Sequence, residues 1–500
     1  MSPVNWVAAC GEDQSSGTQF MTGGPRAPRG ARSLVLAQCS KAVTLFLGIV
    51  ILSRLLTPEE FGFVAVPLAI VGVGEILRDM GLSTAATTTP DLSKSLRDLL
   101  FWLNCVIAIV LAFLTILIAP WISSLFDSPQ VGTVLPWLSL VFILNGVGAQ
   151  YRADLNRSMR FSAMAIVDSV APVVGVCVAI FSAAVGFGYW ALVLQPIASA
   201  VVSTAALVAL SGSVPGLPRR VEGARSVITF GAHIAGSQSL IYIGNNIDIF
   251  ALGLWVSPTQ LGYYSRAFQV AVQPLTLLKA PATSVALPLL SRRVEDSPGF
   301  VRAVGLGQKV LAYTIFPAAL VVAGASTPVV LVFLGEDWRP TIQLVAVLAI
   351  AASIQQLASI SSWILLATGK GRSLSTYSAV SLGIKAAAIL LAAPYGTLAV
   401  ACAYLLAAVL SAPTAYIWAC RATQLPTRVL ARELVAPASV AMLSAAGAYI
   451  AARLLTASAP LLQLAGSLAG VALVYALAAA TPPVRRDIKQ VAAILLRRSR

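Results

Sequence analysis

Apolar residues run in blocks of about twenty along almost the whole chain, and each block is long enough to cross a bilayer as a helix. Fourteen such spans are read: 33–53, 62–80, 98–118, 131–150, 164–185, 188–210, 227–249, 260–290, 304–325, 341–366, 373–392, 397–419, 433–452 and 460–480. Irregular backbone cannot face lipid, because its N–H and C=O groups would go unpaired, so the spans are predicted to be helices. The fold class expected is therefore an all-α polytopic membrane protein. The span 260–290 is unusually long and carries Pro274, Pro281 and Pro288 at steps of seven. Each proline removes a backbone donor and bends the helix, so the three are read as a hinge.

Polar positions between the blocks contain an echo. Arg54-Leu55-Leu56-Thr57-Pro58-Glu59-Glu60-Phe61-Gly62-Phe63 is matched 200 positions later by Leu254-Trp255-Val256-Ser257-Pro258-Thr259-Gln260-Leu261-Gly262-Tyr263. Only Pro and Gly are identical, but Thr/Ser, Phe/Leu and Phe/Tyr stay in register. The offset equals the distance from the first span to the seventh. An even number of spans per copy keeps both copies in one orientation. This predicts two six-helix lobes in parallel repeat, 31–210 and 227–420, joined by a basic linker at 211–226. Two extra helices (433–480) and a basic amphipathic tail (481–500) follow.

Charge fixes the orientation expected. The chain is 58% hydrophobic and 11% charged, with a mean hydropathy of +0.85 and a net charge of +15. Soluble domains carry about 25% charge, so these values exclude that class. With the N-terminus inside, the inner loops and tail hold 25 Lys and Arg, and the outer loops hold only Arg54, Arg339 and Arg453. That asymmetry obeys the positive-inside rule and predicts both termini in the cytoplasm. The distribution also argues against nucleic acid as the partner of the basic excess. Residues 1–30 are polar and rich in Gly, Pro and Ser, so they are read as a disordered extension, with Met21 an alternative start. Cys10, Cys39, Cys105, Cys177, Cys402 and Cys420 show no CxxC spacing and are read as packing residues, with no metal and no cofactor. The outer loops are short, which leaves no room for a soluble catalytic domain. No Walker-type phosphate loop occurs.

Charged residues inside spans carry the candidate chemistry, because each costs roughly 2.5–3.5 kcal/mol at a helix centre. Lys41, Arg266, Lys279 and Lys385 form a cationic set suited to a phosphate or pyrophosphate group. Asp79, Asp248, Asn245, Asn246 and His233 are candidates for ion coupling or gating. Lys309 is read as snorkelling to the inner interface. Arg78 and Asp79 are read as an interfacial pair, and Asp168 as locally capped or paired.

The chain resembles the multidrug/oligosaccharidyl-lipid/polysaccharide flippase superfamily, in the branch that includes colanic-acid and teichuronic-acid exporters. The resemblance rests on the stretch Arg54–Gly62 and on Asp79-Met80-Gly81-Leu82. It also rests on Met159-Arg160-Phe161 with Gly186-Phe187-Gly188-Tyr189-Trp190-Ala191-Leu192-Val193, on Leu261-Gly262-Tyr263-Tyr264-Ser265-Arg266-Ala267, and on Gly335-Glu336-Asp337-Trp338-Arg339-Pro340. It implies two six-helix lobes in a V, with the first, second, seventh and eighth spans lining a central cavity. Lys41, Arg266 and Lys279 lie on those spans; Lys385, on the eleventh, departs from the set. The activity implied is translocation of undecaprenyl-pyrophosphate-linked oligosaccharides across the inner membrane, for exopolysaccharide, capsule or O-antigen. Partners expected are the lipid-linked oligosaccharide and membrane lipids, with a polysaccharide polymerase and chain-length regulator, and the chain is read as a monomer. Alternatives left open are a small-molecule antiporter of the same superfamily or the major-facilitator type, and a peptidoglycan-precursor flippase.

Overall fold

The computed structural model describes residues 27–79, 93–212, 215–218, 224–275, 287, 290–294, 296–455, 459–482 and 484–487. Predicted features that fall elsewhere, among them Lys279, Pro281 and Pro288, lie outside the described residues. The described chain is helical: α1 (Ala27–Leu55), α2 (Pro58–Asp79), α3 (Lys94–Leu125), α4 (Pro129–Leu138), α5 (Leu140–Arg157), α6 (Phe161–Ala184), α7 (Trp190–Ser211), α8 (Ala224–Asn245), α9 (Ile247–Trp255), α10 (Pro258–Ala271), α11 (Ser297–Gly324), α12 (Ser326–Phe333), α13 (Thr341–Ala367), α14 (Gly371–Ala392), α15 (Thr397–Thr423), α16 (Thr427–Leu454) and α17 (Pro460–Ala480).

Among the described residues, 11 helices are long and apolar enough to cross a membrane, and they coincide with 11 of the 14 predicted spans. The protein is a multi-pass membrane protein. The other three spans correspond to α1, to α8 with α9, and to α10. The first helix begins at Ala27, inside the stretch read as an extension.

Three predicted helices are interrupted. The span 131–150 bends at Ser139, where Ser139 Oγ donates to the Pro136 carbonyl at 2.6 Å. The span 227–249 breaks at Asn246, whose side chain donates back to the Tyr242 carbonyl at 2.9 Å. In the long span 260–290, α10 ends at Ala271 with a turn at Val272, and helical backbone resumes over 273–275. Pro274 lacks the backbone N–H that an unbroken helix would use, which is consistent with an interruption one turn or less upstream of it.

Packing sorts the helices into two sets. In the first, α1 lies on α6, α6 on α7, α7 on α5, α5 on α3, and α2 on α4. In the second, α13 packs on α15, α11 and α10, α14 on α15, and α9 on α14. At the centre of the second set, buried Val345, Leu348, Ala349 and Ile364 of α13 share a core with Val400, Ala401, Tyr404 and Ala408 of α15. Small residues let the backbones approach, which matters in lipid because apolar burial alone does not hold helices together there. Exposed Ile109, Val110, Phe113, Leu117 and Trp121 on α3 form the kind of surface a lipid-facing helix presents.

The two added helices are clamped to α11 by charge. Lys309 is held in ion pairs. Its ammonium contacts Glu433 of α16 at 2.5 Å and Asp487, beyond α17, at 2.8 Å. Tyr313 also donates to Asp487, at 3.3 Å. Val484 packs with Tyr313 and Val440, so this part of the tail faces protein rather than a bilayer surface. Lys309→Met should therefore lower stability by about 1.5–3 kcal/mol, the worth of hydrogen bonds to charged groups. Thermal unfolding in detergent reads this, and an unchanged midpoint would reduce the clamp to an incidental contact.

Candidate functional site

The sequence echo is first a local folding signal. Thr57 caps α2: the Glu60 N–H donates to Thr57 Oγ1 at 3.4 Å, and Glu60 Oε2 accepts from the Thr57 N–H at 2.7 Å. This is a capping box, and Pro58 fills the first helical position, where no donor is needed. In the second copy Ser257 accepts from the Gln260 N–H at 3.4 Å, and Pro258 again opens the helix. The matched hydroxyl residues, prolines and third-position Glu/Gln start equivalent helices.

The matched glycines do something else. They let α2 and α10 cross at their first turns. A Cβ on Gly62 would sit 1.8 Å from the Pro258 carbonyl oxygen, and a Cβ on Gly262 would sit 1.8 Å from the Pro58 carbonyl oxygen. Each copy of the motif is thus the surface on which the other packs. The contact joins the first helix set to the second.

More contacts close the same end. Trp338, 1% exposed, donates from Nε1 to the Ser53 carbonyl at 2.7 Å and lies 5.5 Å from the Phe61 ring and 6.0 Å from that of Tyr263. Arg54 donates to the Val332 carbonyl at 2.5 Å, and Phe46 meets Phe333 edge-on at 5.2 Å. Gly253 of α9 faces Val66 and Phe126. The result is a dry seal between the sets, built from aromatic rings and backbone.

Arg266 lies in this seal. Its guanidinium carbon is 3.6 Å from the Phe61 ring centroid, and Nη1 donates to Gln269 at 2.7 Å. The residue is 4% exposed and Nε has no partner. Among the described residues no carboxylate pairs with it.

The other predicted residues have separate surroundings. Lys41 is exposed on α1. Lys385 of α14 is buried, with Nζ 4.8 Å from the Tyr404 ring centroid. The described cations are therefore not gathered along one open surface in this conformation; Arg266 and Lys385 are packed inside protein. Asp248 is buried at the start of α9 and accepts from Tyr264 at 2.8 Å. Asn245 is exposed, and His233 falls within α8. Arg78 pairs with Glu75 at 3.4 Å, and Asp168 pairs with Arg152. Asp79 closes α2.

Several participants escaped sequence reading. Trp338 stands out in the sequence only as part of the stretch Gly335–Pro340, with no sign that its side chain reaches Ser53. Glu75 is held by Asn145 at 2.9 Å, a contact with no local sequence signature. Tyr264 and Tyr404 have no role assigned from sequence, and only the fold brings them to Asp248 and Lys385.

Comparisons with known proteins bear on the same residues. Residues 51–343 match the family described as polysaccharide biosynthesis protein. The chain is 24% identical over 313 residues to the lipopolysaccharide biosynthesis protein WzxC of Escherichia coli (strain K12), covering 61% of this chain and 63% of that one. It is 25% identical over 309 residues to the succinoglycan biosynthesis transport protein ExoT of Rhizobium meliloti (strain 1021), covering 62% and 63%. The chain thus spans less than two thirds of the length of these curated relatives. In fold it is similar to the lipid II flippase MurJ in an inward closed conformation, with a TM-score of 0.71 and 11% identity over 91% of this chain and 99% of that one. Both copies of the echo, Arg266 and the sealing Trp338 all lie within the matched residues, and the chain belongs to the polysaccharide biosynthesis protein family.

Proposed function

We propose that this chain is a flippase for lipid-linked oligosaccharides, carrying undecaprenyl-pyrophosphate-bound repeat units across the inner membrane for exopolysaccharide, capsule or O-antigen. It is a transporter rather than an enzyme. The observation that carries the reading is the seal at Pro58, Gly62, Pro258 and Gly262. Two helix sets meet there through a reciprocal contact that can part as a unit, which alternating access requires. The polysaccharide role follows the family and the similarity to WzxC and ExoT.

In this reading the sets are two six-helix lobes in a V, and the seal is at the outer face. The excess of Lys and Arg in the opposite loops supports that orientation. Arg266, hidden in the closed seal, becomes available to the pyrophosphate when the lobes part. Lys41 lines the path below it. The polymerase and chain-length regulator act on the product, and a single chain suffices for transport.

The test is direct. Proteoliposomes carrying the purified chain receive a fluorescent undecaprenyl-pyrophosphate oligosaccharide, and its access to a membrane-impermeant quencher is followed. Transfer above protein-free vesicles is expected. Absence of transfer, with a deletion strain that makes normal polymer, would overturn the reading. Viability of the deletion strain separates it from a peptidoglycan-precursor flippase.

A further inference from the structure

Asp248 and Lys385 form a second buried charge centre, apart from the seal. Asp248 is 1% exposed and Lys385 is 8% exposed. Asp248 Oδ2 accepts from Tyr264 at 2.8 Å, while Oδ1 has no partner. Lys385 acts on Asp248 electrostatically, yet among the described residues it makes no ion pair within contact distance. Its ammonium instead faces the ring of Tyr404, whose hydroxyl donates to Gln355 at 2.8 Å. Five helices, α9, α10, α13, α14 and α15, contribute these groups.

A buried pair serving stability alone would close to contact, because direct hydrogen bonds are what offset the desolvation of two charges. Here the carboxylate keeps an oxygen open and the ammonium stands off. The vacant valence suits a small cation. A metal ion fits poorly, since calcium wants six to eight oxygens and magnesium near-octahedral geometry, and a lysine charge already stands beside the single carboxylate. A proton needs one oxygen and no coordination shell.

We propose that Asp248 is a proton-exchange site, with Lys385 as its built-in counter-ion and Tyr264 as the link that passes its charge state to the seal. The proton adds to Oδ1. With Asp248 ionised, the centre is neutral and Tyr264 anchors α10 to α9 through a charge-assisted hydrogen bond. With Asp248 protonated, the centre is cationic and that bond weakens. Tyr264 lies between Gly262 and Arg266, which both meet α2, so loosening it loosens the seal. The elements bordering α9 carry Tyr264 (α10), Lys385 (α14), Tyr404 (α15), Tyr242 (α8) and Tyr395 (turn Ala393–Tyr395). On α2 they carry Glu59 and Glu60 at one end and Glu75, Arg78 and Asp79 at the other. Among these, Lys385 and then Tyr264 act most strongly on the carboxylate. The inference rests on the proposed transport cycle for its purpose, but its test needs no substrate.

Spin labels at Phe187→Cys and Tyr395→Cys, both exposed at the sealed end of the two helix sets, report its opening in proteoliposomes. With the native cysteines replaced, the ratio of long to short distances should change by roughly fivefold or more between about pH 5 and pH 8, the scale of ordinary allosteric coupling. Asp248→Asn should fix the ratio near its low-pH value at every pH. Tyr264→Phe keeps the carboxylate but should blunt the response, which separates signalling from misfolding. Sodium at constant pH should change nothing. A wild-type ratio indifferent to pH, an Asp248→Asn chain that still follows pH, or a sodium response would each overturn the proposal. Failure of lipid transfer with an intact pH response would count against the substrate reading alone.

Discussion

An Arg266→Met chain should reach the membrane at the wild-type level and export no polymer. The reason is the state in which the arginine is held. It is 4% exposed, with one side-chain hydrogen bond to Gln269 and an aromatic face from Phe61. A desolvated cation over a ring recovers about 2 kcal/mol. The open Nε donor costs about 1–3 kcal/mol as a buried unpaired group. Closure of the seal therefore carries a built-in penalty that opening relieves by letting the guanidinium hydrate or bind an anion. Methionine has similar reach and no charge, so it keeps the packing and removes the penalty. The seal should then stay shut, with the Phe187–Tyr395 label distance held at its short value. Normal polymer yield from Arg266→Met would reduce the arginine to a packing residue and remove the pyrophosphate contact with it.

Alanine at either matched glycine should act in the opposite direction. Gly62→Ala and Gly262→Ala each place a methyl group where a carbonyl oxygen of the other copy stands, 1.8 Å away. Backbone cannot rotate aside as a side chain does, so the helices must separate. Overpacking in a tight contact costs about 1–3 kcal/mol and occasionally more. That range corresponds to roughly a 5- to 150-fold shift of a two-state equilibrium. Both variants should show the long label distance, and export should fall by about tenfold or more on the same scale. Because the contacts are reciprocal, the two alanines should behave alike. A harmless Gly262→Ala beside a damaging Gly62→Ala would mean that the contact does not work as a symmetric unit. A chain in which neither matters would show that the crossing is not a moving seal.

Much of the fold was legible because lipid imposes a simple rule. Twenty consecutive apolar residues cross lipid as a helix, so hydropathy alone located the spans. The echo was legible too, but its two identities carried different information. Pro58 and Pro258 mark helix starts, a local property. Gly62 and Gly262 are needed only because another backbone lies against them, which no local pattern reveals. The cationic residues stood out in the sequence, but their surroundings did not. Arg266 and Lys385 were expected along an open surface and are instead packed against Phe61 and Tyr404. Exposure depends on which helices meet, and that follows from side-chain shapes summed over the whole interface.

The 200-residue offset, read again with the fold in hand, sharpens the asymmetry between copies. Positions 48, 64 and 66 hold Gly, Val and Val, whereas 248, 264 and 266 hold Asp, Tyr and Arg. The chemistry therefore sits in the second copy while the first supplies the surface it works against. The sequence alone determined the membrane setting and the helical spans and displayed the ten-residue echo, since these depend on hydropathy, spacing and caps within single segments. Only the tertiary structure decided that the repeat closes on itself, that Arg266 is sealed inside the closure, and that Asp248 and Lys385 face a common centre. Those outcomes arise from contacts between residues up to 285 positions apart, such as Trp338 to Ser53. Such contacts form only once the helices have packed, and no segment read by itself contains them.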